Sequence, residues 1–332
     1  MSRYAAAHAN PQGPGDARPT ALQIIKDEGM EVKLSGKIIV ITGTSSGIGI
    51  ETVRALASTG AKLFLTARNL TKAREALSDI LDPSRMQLVE MDQTSLQSVR
   101  AAAKSILAKT DRINILVNNA GIMAVQNLEF TEDGHELQFG TNHLSHFLFF
   151  ELLKPALLAG VTPDFNSRVV VVASTAHLMS GINDSDNYNF QKGGYTPWGA
   201  YGQSKTANIY MANEIERRYG SQGLHALSLH PGTIETGLMK HIPEEELAGY
   251  AVNDDIMRSS KNPSQGAATT VWAAVGREWE GKGGRYLADV GEAEAWEGDG
   301  DALVSAKYAK HAYNAELEGR LWKGSLKLVG LA

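Results

Sequence analysis

Tyr201 and Lys205 stand four residues apart in Ala200-Tyr201-Gly202-Gln203-Ser204-Lys205-Thr206-Ala207, a segment whose helical periodicity runs on to Arg218. On a helix that spacing puts both side chains on one face. A phenol, with a pKa of about 10 in water, becomes a usable acid or base when an ammonium group stabilises the phenolate. Such a pair could hand a proton to the oxygen left when hydride attacks a carbonyl. Tyr188 and Lys192 have the same spacing, but they lie among turn formers in a stretch that ends Gly193-Gly194, where a helix is not expected. Tyr201 is therefore the expected acid/base and Lys205 its partner. That choice requires an inserted loop over about residues 181–199, between the pair and the hydroxyls of Ser174 and Thr175. Either hydroxyl leaves the strand-like run 169–173 at the end where open α/β sheets place ligands. Either could hydrogen-bond a substrate oxygen as charge develops on it.

Elements of a definite kind must position these groups. Continuous apolar runs occur at Ile38–Ile41, Leu63–Leu65, Gln87–Val89, Ile113–Val117, Val169–Val172 and Ala226–Leu229. Unbroken apolar character suits strands buried on both faces. Helical segments alternate with them, as at Ile48–Thr59, Thr71–Leu81 and Ser95–Lys109. This is the pattern of one α/β domain, a Rossmann-type doubly wound parallel sheet with helices on both faces. Gly284–Leu287 adds a late edge strand, making about seven.

The first strand runs straight into Thr42-Gly43-Thr44-Ser45-Ser46-Gly47-Ile48-Gly49. Glycines there let the backbone approach a pyrophosphate, and the following helix presents free N–H groups to the anion. The spacing is not the commoner Gly-x-Gly-x-x-Gly, but the strand–turn–helix context is the required one. At the end of the second strand a carboxylate would bind the ribose 2′-hydroxyl of NAD, and an Arg the 2′-phosphate of NADP. The sequence reads Leu65-Thr66-Ala67-Arg68-Asn69. With no acid and an Arg whose planar fork suits phosphate, NADP(H) is the expected cofactor.

The glycine turn, Asn118-Asn119-Ala120-Gly121, Asn142, Ser174, Tyr201-x-x-x-Lys205 and Pro231-Gly232, in that order, resemble the short-chain dehydrogenase/reductase superfamily over residues 34–287. Thr141-Asn142-His143-Leu144, Ser174-Thr175-Ala176-His177, His230-Pro231-Gly232-Thr233 and Leu321-Trp322 look like its retinol-dehydrogenase and WW-domain-oxidoreductase branch. The resemblance implies a catalytic set of Ser174, Tyr201, Lys205 and Asn142, with Asn142 completing a proton relay from Lys205 through water. It implies cofactor contacts from Gly43, Ser45, Ser46, Gly47, Ile48, Gly49, Arg68, Asp92, Asn119, Ala120, Gly121, Tyr201, Lys205, Pro231, Gly232, Thr233 and Thr236. Asp92 also reads as the N-cap of the helix after the third strand. The stretch 233–262 would be a substrate lid, its apolar residues Leu238, Met239, Ile242, Leu247, Tyr250, Ile256 and Met257 facing Met179, Tyr195 and Trp198. The expected reaction is the interconversion of a secondary alcohol and a ketone (or a primary alcohol and an aldehyde) on a bulky apolar substrate. A homodimer through Asn208, Ile209, Met211 and Ile215 is a further implication.

The chain is expected to organise as an N-terminal extension (1–33), with residues 1–19 disordered and a short helix capped by Thr20, a catalytic domain (34–290), and a C-terminal extension (291–332). In the last, 291–301 reads as loop and 302–328 as helix. The net charge of −5 argues against a nucleic-acid partner. The absence of cysteine excludes disulfides, thiol catalysis and Cys-ligated zinc. His143 and His146 share a helix face, but no acidic ligand matches their spacing, so no metal is expected. His177 and His230 read as structural. No apolar stretch reaches membrane-spanning length and no secretory signal opens the chain, so a cytoplasmic location is expected. Two other readings carry specific tests. An epimerase or dehydratase on this scaffold would carry Gly-x-x-Gly-x-x-Gly, and an NADP-sensing protein with a decayed site would lack the Tyr, Lys or Ser.

Overall fold

A computed structural model describes residues 2–298 and 302–332. Its elements are α1 (Ala5–His8), α2 (Ala21–Asp27), β1 (Ile38–Thr42), α3 (Ile48–Ala57), β2 (Lys62–Ala67), α4 (Leu70–Ala76), β3 (Met86–Glu90), α5 (Leu96–Leu107) and β4 (Ile115–Asn118). There follow α6 (Leu137–Phe139), a π-helical turn (Gly140–Leu144), α7 (Ser145–Ala159), β5 (Ser167–Val172), α8 (Pro197–Tyr219) and β6 (Leu224–His230). The chain closes with α9 (Glu244–Ala251), α10 (Asp254–Ser259), α11 (Pro263–Gly266), α12 (Ala268–Val275), β7 (Arg285–Ala288), β8 (Gly291–Glu292) and α13 (Ala315–Leu328).

The apolar runs form one sheet in the order β3-β2-β1-β4-β5-β6-β7-β8. All pairs are parallel except the two-residue β8, which runs antiparallel to β7 and adds an eighth strand to the seven expected. Each face is covered. Ile39, Ile41, Leu63, Leu65, Val170 and Leu229 pack under α2, α3 and α12, while Val40, Phe64, Leu116, Val169 and Val171 pack under α5, α7, α8 and α13. Connections leave β1 and β4 toward opposite faces, and the crevice between their C-terminal ends is where a doubly wound sheet binds ligands.

Three local expectations need correction. Residues 2–19, expected to be disordered because of their Gly and Pro content, are held by long-range bonds. The Arg18 guanidinium, 4% exposed, donates to the carbonyls of Gly13, Ser259 and Ser260 at 3.0, 2.6 and 2.6 Å and to Asp16 at 2.8 Å. Gln265 binds Gly15 and Asp16 from the other side. Second, α-helix in the C-terminal extension begins only at Ala315, which Asn314 caps, after a short 3-10 turn at Lys310–Ala312. Third, Asp92 does not cap α5. Its Oδ1 accepts from the Thr94 N–H and hydroxyl at 2.9 and 2.8 Å, and the cap is Ser95.

α8 is buried on nearly every side from Ala200 to Ile215. Its outer face is covered by α13, where Asn213 donates to Glu318 at 2.8 Å and Leu321 and Trp322 join Met211 and Ile215 in the core. Asn208, Ile209, Met211 and Ile215 are at most 2% exposed, so the residues expected to pair two copies are interior to one chain.

Replacing Arg18 by Ala takes its donors from the Gly13, Ser259 and Ser260 carbonyls and removes the ion pair with Asp16. The expected loss of unfolding free energy is about 3 kcal/mol. It would be read from the urea midpoint, and an unchanged midpoint would contradict the strap's role.

Candidate active site

The site begins with a contact that only glycine permits. Gly43 has φ +73°, and a Cβ on it would lie 2.7 Å from the Ala120 Cβ; a Cβ on Gly49 would lie 2.1 Å from the Gly43 carbonyl oxygen. The turn thus lies flat against the segment after β4. Thr42 joins the two, its hydroxyl accepting the N–H groups of Asn119 and Ala120 at 2.9 and 3.0 Å. The Asn119 amide donates to the carbonyls of Thr42 and Gly43 at 2.9 and 3.3 Å. α3 then starts at Ile48 with its first N–H groups directed at the crevice.

One continuous cavity of about 470 Å³ runs along the C-terminal edge of the sheet. It is lined by every cofactor residue expected from the sequence: Gly43, Ser45, Ser46, Gly47, Ile48, Gly49, Arg68, Asp92, Asn119, Ala120, Gly121, Tyr201, Lys205, Pro231, Gly232, Thr233 and Thr236. Ser174 and Thr175 line it too. A dinucleotide fits this shape: an amide-edged turn at one end, and in the wall the oxygens Asn119 Oδ1 and Thr141 Oγ1, buried without a partner. At the far end Arg68 is 70% exposed and only 4.0 Å from Asp92, so its fork stays open to an anion. Lys72, one helical turn on, lines the same end.

At the other end the structure brings Ser174, Tyr201 and Lys205 together. Thr196 caps α8 and Pro197 starts it, placing Tyr201 in the second turn and Lys205 one turn later. Burial pushes the Tyr201 phenol up to about 12, with a hydrogen bond from Ser174 acting against it. The Lys205 Nζ lies 5.5 Å from the Tyr201 ring centre and donates to the Val172 carbonyl at 3.0 Å. Burial also pushes Lys205 down to about 8.

Asn142 alone of the expected catalytic residues does not line the cavity. It sits in the π-helical turn, fully buried rather than solvent-facing. Its Oδ1 accepts from Ile122 N at 2.8 Å, and its Nδ2 donates to Ile122 O and Ser204 Oγ at 2.9 Å each. π-turns inside helices recur at functional sites. Tyr188 and Lys192 are outside the site: Tyr188 stacks on Phe139 at 5.3 Å, and Lys192 pairs with Asp186 on the surface.

The histidines are buried and held neutral. Burial is the leading cause, taking His143 and His230 to about 3 and His146 and His177 to about 4. Among the described residues, no group of three His, Asp or Glu could hold a metal.

Past Tyr201 the cavity turns apolar. Met123, Met179, Trp198, Leu238, Met239, Ile242, Tyr250 and Ile256 line it, together with Ala302 and Leu303 from the C-terminal extension. The Thr175 hydroxyl donates to Ala302 O at 2.8 Å. Of the expected lid residues, Leu247 packs behind this wall and Met257 is half exposed. Tyr195 donates to Val125 O. The sequence reading missed Lys72, Met123, Lys240, Ala302 and Leu303. Arg68-x-x-x-Lys72 could have revealed the first, whereas nothing local marks Ala302. Among the described residues, no helix is long and apolar enough to cross a membrane.

A sequence profile described as "short chain dehydrogenase" matches residues 37–247. "Short-chain dehydrogenase/reductase prx1" of Penicillium roqueforti is 49% identical over 330 residues, covering 99% of this chain and 96% of that one. "Retinol dehydrogenase 13" of Mus musculus is 33% identical, covering 90% of this chain and 85% of that protein. Among solved structures, the RhlG/NADP active-site complex of Pseudomonas aeruginosa aligns with a TM-score of 0.62 at 23% identity, over 78% of this chain and 96% of that one, a likeness of fold. With the glycine turn, the Tyr–Lys helix and the doubly wound sheet in place, the chain belongs to the short-chain dehydrogenase/reductase family, whose members are oxidoreductases that use a nicotinamide cofactor.

Proposed function

We propose that this protein is an NADP(H)-dependent oxidoreductase that interconverts a ketone and a secondary alcohol on a bulky apolar substrate. The observation that carries the reading is the single cavity. It joins a nucleotide end marked by Arg68, with no carboxylate at the end of β2, to Ser174, Tyr201 and Lys205, and continues beyond them into an apolar chamber.

The nicotinamide would supply or accept the hydride. The chain's own residues do the rest. Ser174 holds the substrate oxygen by hydrogen bonding and favours its developing negative charge. Tyr201, protonated at neutral pH because burial holds its pKa near 12, gives its proton to that oxygen in reduction and takes it back in oxidation. Lys205 places a positive charge beside the phenol, so the phenolate left after donation is stabilised. Asn142 keeps the segment at Ile122 in place and belongs to the route that resupplies the proton. Gly43–Gly49 would cradle the pyrophosphate, and Arg68, with Lys72, would take the 2′-phosphate. Asp92, Asn119, Ala120 and Gly121 would hold the adenosine and ribose, and Pro231, Gly232, Thr233 and Thr236 the nicotinamide. The apolar wall excludes water and, among the described residues that line it, offers no charged partner beyond Lys240 at its edge, which favours a neutral substrate.

Arg68→Ala is expected to weaken NADPH binding about ten- to a hundredfold while leaving NADH nearly unchanged. Fluorescence titration with both nucleotides checks this, and equal losses for the two would refute the 2′-phosphate role.

Tyr201→Phe should lower kcat about a thousandfold with NADPH affinity intact. Steady-state rates alongside the same titration separate the two effects.

The pH profile has a definite sign. Lys205 is charged below about 8 and Tyr201 is protonated below about 12. The kcat for ketone reduction should therefore be level below pH 8 and fall above it, as Lys205 loses its proton. A rate that rises through pH 8 would contradict the assignment.

A further inference from the structure

One carboxylate joins the lid to the helix that carries Tyr201. Glu246, in α9, accepts the indole N–H of Trp198 at 2.9 Å, and the same oxygen, Oε1, accepts the Tyr250 hydroxyl. Trp198 lies in the first turn of α8, three residues before Tyr201, and its ring stands edge-on to the Tyr201 ring with centres 6.0 Å apart. Tyr250 lies one turn beyond Glu246 on the lid helix. Both rings line the cavity.

Around them is an apolar cluster separate from the two main cores. Met123, Ala176 and Tyr201 come from the catalytic side, and Leu238, Met239, Ile242 and Leu247 from the lid. Apolar contact is non-directional and would let the rings slide over one another. A carboxylate oxygen accepting two hydrogen bonds is directional, and charge-assisted bonds are the stronger kind. Glu246 therefore fixes where the two ring edges stand, not merely that they are buried.

We infer that Glu246 determines specificity: by pinning Trp198 and Tyr250 as the two edges of a slot above Tyr201, it fits the site to a ring-bearing apolar ketone. This rests on the carbonyl-reductase reading above. Glu246 is half-buried on the lid, touches neither the Tyr201 phenol nor the nucleotide end, and acts through the two rings.

The test compares wild type, Glu246→Ala and Glu246→Gln with NADPH and two ketones, decalone and acetone. Hydrogen exchange of the 244–251 peptide is followed in parallel. Glu246→Ala should raise the KM for decalone about tenfold and speed exchange in that peptide, with kcat/KM for acetone within about twofold of wild type. Glu246→Gln keeps an oxygen that can accept both bonds and should stay close to wild type in every measurement. Equal losses on both ketones, a glutamine variant that behaves like the alanine one, or unaltered lid exchange in Glu246→Ala would each overturn the slot while leaving the functional reading intact. A wild-type enzyme that binds NADPH but reduces neither ketone would overturn the functional reading, and the slot with it.

Discussion

The Thr42 hydroxyl is the smallest group on which the rest of the site depends. It has two lone pairs and one proton. The N–H groups of Asn119 and Ala120 occupy the lone pairs, which leaves the proton for His146 Nε2 at 2.9 Å. His146 Nδ1 faces the Asn142 carbonyl at 2.9 Å, and a carbonyl can only accept, so the imidazole proton sits on Nδ1. The chain of bonds runs Ala120, Thr42, His146, Asn142 without a break. It ties the glycine turn after β1, the segment after β4 and the π-helical turn into one unit. That unit works only while His146 is neutral, and its deep burial holds it so.

The same logic explains the electrostatics around Lys205. Around it, among the described residues, stand the Val172 carbonyl, the Asn208 amide and the neutral imidazoles of His146 and His230 rather than a carboxylate. A buried ammonium with an anionic partner would be locked in a charged pair. With only dipoles around it, its proton becomes comparatively easy to lose. Asn208 shares the Val172 carbonyl with it at 3.2 Å, so the backbone at the end of β5 orients the lysine and one turn of α8 together.

How much could be read beforehand follows from the range of the interactions. The doubly wound sheet was legible because its central strands carry continuous apolar runs, as in β1 and β5, and the glycine turn because its residues are adjacent in sequence. Tyr201 could be separated from Tyr188 because only one of them precedes a helical pattern. The N-terminal segment was misread because what orders it is Arg18 meeting carbonyls at 259 and 260, and no local pattern announces a partner 241 residues away. Residues 302–314 failed for the same reason: Ala302 is held by Thr175, and Ala309 donates to His177 Nε2 at 3.0 Å. Asp92 misled through a closer competitor, since Thr94 takes its carboxylate before α5 begins.

The cover that α13 provides has a consequence for the order in which the protein can be completed. Synthesis proceeds from the N-terminus, so α7 and α8 emerge long before Trp322, whose indole packs 4.9 Å from Phe147 and under the Arg218 guanidinium. Until then Phe147, Phe150, Met211 and Ile215 form an uncovered apolar stripe along the helix that carries Tyr201 and its neighbour. Exposed stripes of this kind are where nascent chains adhere to one another and to chaperones. α13 is thus made after the catalytic helix it covers, and a ribosome that stopped before residue 315 would release a chain with that stripe uncovered.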